Sequence, residues 1–230
     1  MDWESFAERM AQMARDLLAQ TSVDATLERI TESAVENVEG CDAAGILIFQ
    51  GKRVETLAPT DGVVIRSDQL QEKLGEGPCF DVALRRGSDR VFRIKDFNEP
   101  QDRWPKYARE ARALGLGSMM GFLLYTENEN LGALNMYAWR PAVFTRASET
   151  AGWLLASHAA VAFSSARTAD QLKRAVETRH IIGEAMGILM ERLKISEDEA
   201  FAVMRRVSQE RNIKLRDIAR QICESGGLDD

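Results

Sequence analysis

The chain has 230 residues, 45% of them apolar and 29% charged, with a net charge of -6. That is enough to bury a sizeable core in one large domain, or in a medium domain followed by a small one. An acidic total excludes a chain that binds nucleic acid through its overall charge, so any such reading must rest on a local patch.

Cys41, Cys79 and Cys223 are scattered and odd in number, and the only histidines are His158 and His180. They make neither a disulfide framework nor a zinc-ligand spacing, so no metal is expected. The opening MDWESFAERM lacks the basic and apolar regions of a signal peptide, and no apolar run is long enough to span a bilayer. The expectation is a soluble cytoplasmic protein with no membrane partner.

The first predicted element is an amphipathic helix with Trp3, Phe6, Met10, Met13 and Leu17 on one face. A second follows with Val23, Leu27, Ile30, Ala34 and Val38, with Ser22 or Asp24 placed to cap it. The period then shortens, and residues 43–49 and 53–58, separated by Gln50-Gly51-Lys52, read as a strand hairpin. Residues 59–117 are mixed. SDQLQEKLG and GPCFDVALRRG read as short helices, RVFRI (90–94) as a strand, and RWPKYAREARALG as a helix with Pro105 tolerated in its first turn. The strand 118–126, the turn ENEN and the strand 131–139 form a second hairpin. The fold class is α+β, an antiparallel sheet with helices packed against it.

From Arg146 to about Glu177 the pattern is helical. Leu155, Ala159, Ala162, Ala166, Ala169, Lys173 and Val176 alternate steps of four and three, the repeat of a coiled-coil seam. Two readings stand: the outer half of this helix makes a dimer contact, or the alanines pack on the sheet domain. The last fifty residues predict three short helices. The first covers about 179–193. The second opens on a Ser196/Glu199 capping box and has Ala200, Phe201, Met204 and Val207 as its apolar stripe. The third runs from about Ile213 to Cys223 with Leu215, Ile218, Ala219 and Ile222 inward and Gly226 beyond its end.

Gly183 and Gly187 stand one turn apart inside RHIIGEAMGILMERLK, where each costs about 1 kcal/mol against alanine. Such a face admits close approach by a neighbouring helix or by a nucleic acid. From Phe201 to Ile222 there are six bases, Arg205, Arg206, Arg211, Lys214, Arg216 and Arg220, against Glu210 and Asp217. A polyanion-binding face needs that segregation, although a merely solvated surface also displays it.

The segment IIGEAMGILMERLKISEDEAFAVMRRVSQERNIKLRDIARQI resembles the ANTAR domain, an RNA-binding antitermination module. The residues that carry the resemblance are Ile182, Ala185, Gly187, Leu189 and Met190, then Ser196, Glu199, Ala200 and Phe201, then Met204, Arg205, Leu215, Ile218 and Ala219. The family often has a lysine between the alanine and the glycine, where this chain has Met186. The pieces GEGPCFDVALRRG, RWPKYAREARALGLGSMM and LGALNMYAWRPAVF resemble a GAF domain of the kind fused to ANTAR in actinobacterial proteins. The implied organisation is a GAF-like sensor with its N-terminal helix over 1–165, the outer half of a linking helix over 166–178, and an ANTAR domain over 179–230.

The resemblance implies a homodimer that binds paired stem-loops in nascent RNA and promotes transcription antitermination in response to a small molecule or other signal at the GAF domain. By analogy Gly187, Arg205 and Arg206 would meet the RNA loop. Arg211, Lys214 and Arg216 would take phosphates, and Arg192 is a further candidate. A DNA-binding regulator and a protein-interaction module are the alternatives.

No ligand is legible in the sensor half. Neither histidine lies where a haem would need it, Cys79 is followed by Phe80 rather than the histidine of a bilin site, and the Asn-Lys and Phe-Asp-Glu set of cyclic-nucleotide GAF domains is absent. No cofactor is expected. Cys79 is either a redox-sensitive thiol or a buried inert one, and Trp104 and Tyr107 either line a cavity or belong to the core. There is no GxSxG, phosphate-binding GxxxxGKS/T or HExxH, so no catalytic residue is assigned and an enzyme is not expected.

Overall fold

The computed structural model describes residues 3–50, 53–83, 90–127 and 129–227. Gly51 and Lys52 of the first hairpin turn, the end of GPCFDVALRRG from Leu84 onward, and Asn128 of the ENEN turn lie outside the described residues. The chain divides into two units, Met1–Arg167 and Thr168–Asp230.

The first unit begins with α1 (Trp3–Leu18) and α2 (Val23–Asn37), the latter capped by Ser22, whose side chain accepts from the Ala25 amide. Strands β1 (Ala43–Gln50) and β2 (Arg53–Leu57) pair from Ile46 opposite Leu57 to Gln50 opposite Arg53. There follow α3 (Gly62–Leu74), α4 (Pro78–Ala83), β3 (Val91–Ile94), α5 (Pro105–Ala113), β4 (Ser118–Tyr125) and β5 (Asn130–Ala138). The five strands form one sheet of order β2-β1-β5-β4-β3, every pair antiparallel.

Helices cover both faces of this sheet, which is why β4 and β5 read as nearly unbroken apolar runs rather than as alternating strands. Ala44, Ile46, Met120, Phe122, Leu124, Leu134 and Met136 turn to one face. There they meet Phe6, Met10, Met13 and Leu17 of α1, Leu27, Ile30 and Ala34 of α2, and Leu155, Ala156, Ala159, Ala160, Ala162 and Phe163 of α6 (Arg146–Leu193). Ala43, Leu47, Met119, Ala133 and Tyr137 turn to the other face, against Val63 and Val64 of α3, Cys79 of α4 and Trp104, Tyr107, Ala108 and Ala111 around α5. Trp104 and Tyr107 are therefore core residues.

Two expectations need correction. Helix α3 begins at Gly62, five residues before SDQLQEKLG, because Asp61 caps it and the β-branched Val63 and Val64, poor helix formers alone, are held by packing on the sheet. Residues 146–193 form one continuous helix of 48 residues, so the break expected near 178 does not occur. No proline, cap or left-handed residue stands there to stop it. Of the two readings of the alanine spacing, packing on the sheet domain holds for Leu155, Ala159 and Ala162, which are buried in the first core, whereas Ala169, Lys173 and Val176 are exposed. Small side chains here let α6 lie close on the sheet.

The second face carries a buried polar cluster. Asp68 accepts from Thr56 Oγ1 at 2.8 Å, Asn135 Nδ2 at 3.2 Å and the Tyr137 hydroxyl at 3.3 Å. Ser67 Oγ donates to the Tyr137 hydroxyl at 3.1 Å and shares a hydrogen bond with the Tyr107 hydroxyl at 2.8 Å. Cys79 Sγ donates to Asn135 Oδ1 at 2.7 Å, and Gln71 Oε1 accepts from the amides of Cys79 and Phe80, fixing the start of α4. Burial pushes the Asp68 carboxyl up to about 7 against the pull of its three donors.

Two stability predictions follow from this packing. Folded Asp68 titrates above its ordinary value of 3.8, so its contribution is fully present below that value and is lost as pH rises toward about 7. Asp68→Asn keeps hydrogen-bonding capacity and removes the charge. Urea titrations across this window should therefore show a flatter pH dependence than wild type, whose slope from this group is at most about 1.4 kcal/mol per pH unit. Gly152 faces the Phe122 ring, and a Cβ there would stand 2.4 Å from Cζ. Gly152→Ala should lower stability by about 1–2 kcal/mol in the same assay despite the better helix propensity of alanine.

Candidate nucleic-acid interface

The second unit is built from the end of α6, α7 (Glu197–Arg211) and α8 (Leu215–Ser225). Its core is small: Ala185 and Leu189 of α6, Ala200 and Met204 of α7, and Ile218, Ala219 and Ile222 of α8. Both arms of the capping box form at the start of α7. Ser196 accepts from the Glu199 amide, and Glu199 accepts from the Ser196 amide at 2.8 Å. Those hydrogen bonds hold the Glu199 carboxyl below its usual range. The turn to α8 is made by Asn212 in the left-handed conformation (φ +52°), and Ser208 Oγ donates to the Ile213 carbonyl at 2.6 Å. This short linkage fixes where Arg211, Lys214 and Arg216 stand. Helix α8 starts at Leu215, two residues later than expected, with Lys214 at its N-cap.

Arg205, Arg206, Arg211, Lys214, Arg216 and Arg220 are all exposed. Successive residues of a helix point about 100° apart, so Arg205 and Arg206 leave α7 on different flanks. Arg206 lies 4.0 Å from Glu210, Arg216 3.2 Å from Asp217, and Arg220 3.9 Å from Asp217. These are exposed pairs of little energetic worth, easily exchanged for a phosphate. Arg205 and Lys214 have no carboxylate partner among the described residues. Arg192 is engaged differently: its guanidinium packs against Gly226 and Gly227 beyond α8.

Gly183 and Gly187 are exposed, and a Cβ at either would meet nothing within 4 Å. Among the described residues, none uses the close approach they allow. Leu172 and Val176, both more than half exposed, precede them on the same side of α6 at spacings of four, seven and four residues. Met186, at the position where lysine is frequent in the family, is half-buried against the bundle core.

Phe201 contradicts its expected place in the α7 stripe. It is 40% exposed and forms one wall of an open groove of about 510 Å³ with Arg174, Ala175, Thr178, Arg179 and Ile182. Its neighbour Ala200 takes the inward position, so Phe201 is turned one residue past the core. An apolar stripe read at helical spacing does not resolve a rotation of that size.

In the first unit, Val63, Val64, Cys79, Trp104 and Tyr107 are buried between the sheet and α3–α5. Cys79 is fully buried, and desolvation, reinforced by the nearby Asp68 charge, raises its thiol well above the usual range. Of the two readings this favours the inert cysteine, since no cation among the described residues lowers its pKa. His158 is exposed, and His180 faces Glu184 at 3.2 Å. Among the described residues no cluster of His, Cys, Asp and Glu is arranged to hold a metal ion, and no helix is long and apolar enough to cross a membrane.

The model of the GAF domain matches residues 20–164, and that of the ANTAR domain matches residues 170–222. The chain is similar in fold to a bacteriophytochrome from R. palustris (13% identity, TM-score 0.61, 87% of this chain and 46% of that one). A similar likeness holds for the photosensory core module of the Stigmatella aurantiaca phytochrome (12%, 0.62, 88% and 44%). A third is the GAF domain of a phosphoenolpyruvate-protein phosphotransferase from Coxiella burnetii (17%, 0.58, 74% and 99%). The chain thus spans less than half the length of the two phytochromes. No curated protein matches it. With a sheet covered on both faces and a match over most of its length, the chain belongs to the GAF domain family, and it carries a second regulatory module, an ANTAR domain, toward its C-terminal end.

Proposed function

We propose that the protein is a cytoplasmic GAF–ANTAR regulator of the actinobacterial type that binds paired stem-loops in nascent RNA and favours transcription past a terminator. The observation that carries this reading is the cluster of exposed bases on α7 and α8, two of them without a carboxylate partner among the described residues, in a chain that is otherwise acidic. RNA loops offer unstacked bases and phosphates, which suit guanidinium forks and closely approached backbone. We assign Gly187, Arg205 and Arg206 to the loop and Arg211, Lys214 and Arg216 to phosphates. Arg192 has a structural partner in the Gly226–Gly227 turn, so its part is secondary.

The functional divisions we propose are 1–165 for the sensor, 166–178 for the outer linking helix and 179–230 for the RNA-binding domain. The exposed line Leu172, Val176 and Gly183 supports a homodimer in which two α6 helices approach closely, with Gly187 one turn further along for the RNA. Signal enters at the GAF domain as a small molecule or other stimulus and alters how the two RNA-binding domains are presented.

The test is binding to a tandem-hairpin RNA at several salt concentrations. Arg205→Ala should weaken binding by about 1–2 kcal/mol, roughly tenfold, and each phosphate-binding base removed should reduce the salt slope by about 1. Gly187→Leu should lose RNA binding while remaining folded by circular dichroism. Equal competition by duplex DNA would replace this reading with that of a DNA-binding regulator. Capture of a partner protein by Gly187 without any RNA binding would replace it with an interaction module.

A further inference from the structure

The RNA-binding reading leaves the most exposed aromatic feature of the second unit without a task. Phe201 has 40% of its surface in solvent and walls the groove formed with Arg174, Ala175, Thr178, Arg179 and Ile182. An aromatic ring in that position forgoes burial that its neighbour Ala200 achieves completely. The floor of the groove is apolar and its rim is cationic. Arg179 is exposed and has no carboxylate partner among the described residues. Arg174 holds only a surface ion pair with Asp170, at 2.8 Å. Arg205 follows Phe201 by one turn on α7, on the same flank, and also has no carboxylate partner among the described residues. Glu197 and Asp198 lie one turn before Phe201, at the helix start where the dipole favours them. Their charge disfavours a phosphate at that end of α7, and the Arg179 and Arg205 sides favour one.

We infer that Phe201 is a stacking platform for one unpaired RNA base, with Arg179 and Arg205 holding the phosphates on either side of that nucleotide. The inference rests on the RNA-binding reading above and adds to it a base-recognition residue and a cation that lies ahead of the α7–α8 cluster. The chemistry is that of single-stranded loops: every base has a π face, an aromatic ring accepts it without regard to sequence, and guanidinium planes add cation–π attraction. A second copy of the chain is the competing occupant. A two-fold contact brings the same patch of each copy together. The cationic rim favours the strand, whose negative charge Arg174 and Arg179 both attract.

The test uses the full chain and a tandem-hairpin RNA with randomised loops, enriched on the wild-type protein and then carrying 2-aminopurine at each loop position in turn. With Phe201→Leu the affinity should fall about 5- to 100-fold, the salt slope should stay that of wild type, and the fluorescence change at one loop position should vanish. Phe201→Trp should restore both affinity and signal. Arg179→Gln should instead reduce the salt slope by about 1. Equal affinity and fluorescence for wild type and Phe201→Leu, both binding RNA, overturns the platform and leaves the RNA-binding reading intact. Failure of the wild type to enrich any RNA overturns both. Unchanged RNA affinity with a loss of dimer mass in sedimentation for Phe201→Leu assigns the groove to a second copy and overturns the inference.

Discussion

Helix α6 places Leu155, Ala156, Ala159, Ala160, Ala162 and Phe163 in one hydrophobic core and Ala185 and Leu189 in another, and both units of the chain depend on that double use. Between these contributions, residues 171–177 are wholly exposed and make no core. A helical stretch with so little tertiary support is marginal alone, because the first turn of a helix is costly to form. Here that cost is met at both ends by packed turns, and the intervening residues only have to propagate. The alanines on the first-unit side have a specific consequence: without long side chains the helix backbone lies near the sheet, and Gly152 lets the Phe122 ring fit beneath it. Shape rather than buried area per residue holds this contact, so its tolerance for added volume is low.

The two faces of the sheet are unlike. The face under α1, α2 and α6 is almost purely apolar, and packing alone specifies it. The face under α3, α4 and α5 contains Asp68, Ser67, Gln71, Asn135, Tyr107 and Tyr137, all buried. Buried polar groups are costly unless their hydrogen bonds are made; those of the Asp68 carboxylate are, while Gln71 Nε2 is left without one, and such networks dictate one arrangement where an oily core would accept several. Asp68 is central because its carboxylate ties β2, through Thr56, to β5, through Asn135 and Tyr137. A carboxyl pushed up to about 7 in this place changes charge near neutrality. Its protonation alters the balance of three hydrogen bonds at once, and so the face that a GAF sensor would use is held by a titratable pin rather than by grease.

Most of the fold was legible because periodicity survives where burial is one-sided. The amphipathic α1 and α2, the change to strands at Ala43, the Ser196 capping box and the inward Ile218, Ala219 and Ile222 all come from spacing and chain chemistry that no distant contact overrides. Three features were not legible for the same physical reason, that a local pattern cannot report a distant neighbour. Val63 and Val64 are helical only because the sheet receives them. The alanine spacing that suits a seam between two helices also suits the surface of a sheet, and for Leu155, Ala159 and Ala162 the sheet has it. Phe201 and Ala200 are adjacent apolar residues, and packing in the small bundle core decides which one faces inward, where Ala200 is fully buried. The position of the bases was readable as a count, but their division between flanks of α7 required the helix to be drawn.

Gly183 and Gly187 show why an open surface is more informative than a packed one. Each weakens the helix by about 1 kcal/mol against alanine, and a glycine that lets another element of the same fold come near recovers that loss through contact. Gly117 is of this kind, with the Arg140 carbonyl carbon 2.4 Å from where a Cβ would be. Gly183 and Gly187 have no such neighbour among the described residues, so no contact there offsets their cost. The same holds for Phe201, which leaves apolar surface in water, and for the bases of α7 and α8, of which Arg205 and Lys214 have no carboxylate partner among the described residues. Three separate expenses, in conformational entropy, hydration and electrostatics, fall on one small unit with seven buried core side chains among the described residues. A molecule that approaches closely, stacks and carries negative charge relieves all three together, and a folded RNA has each of those properties.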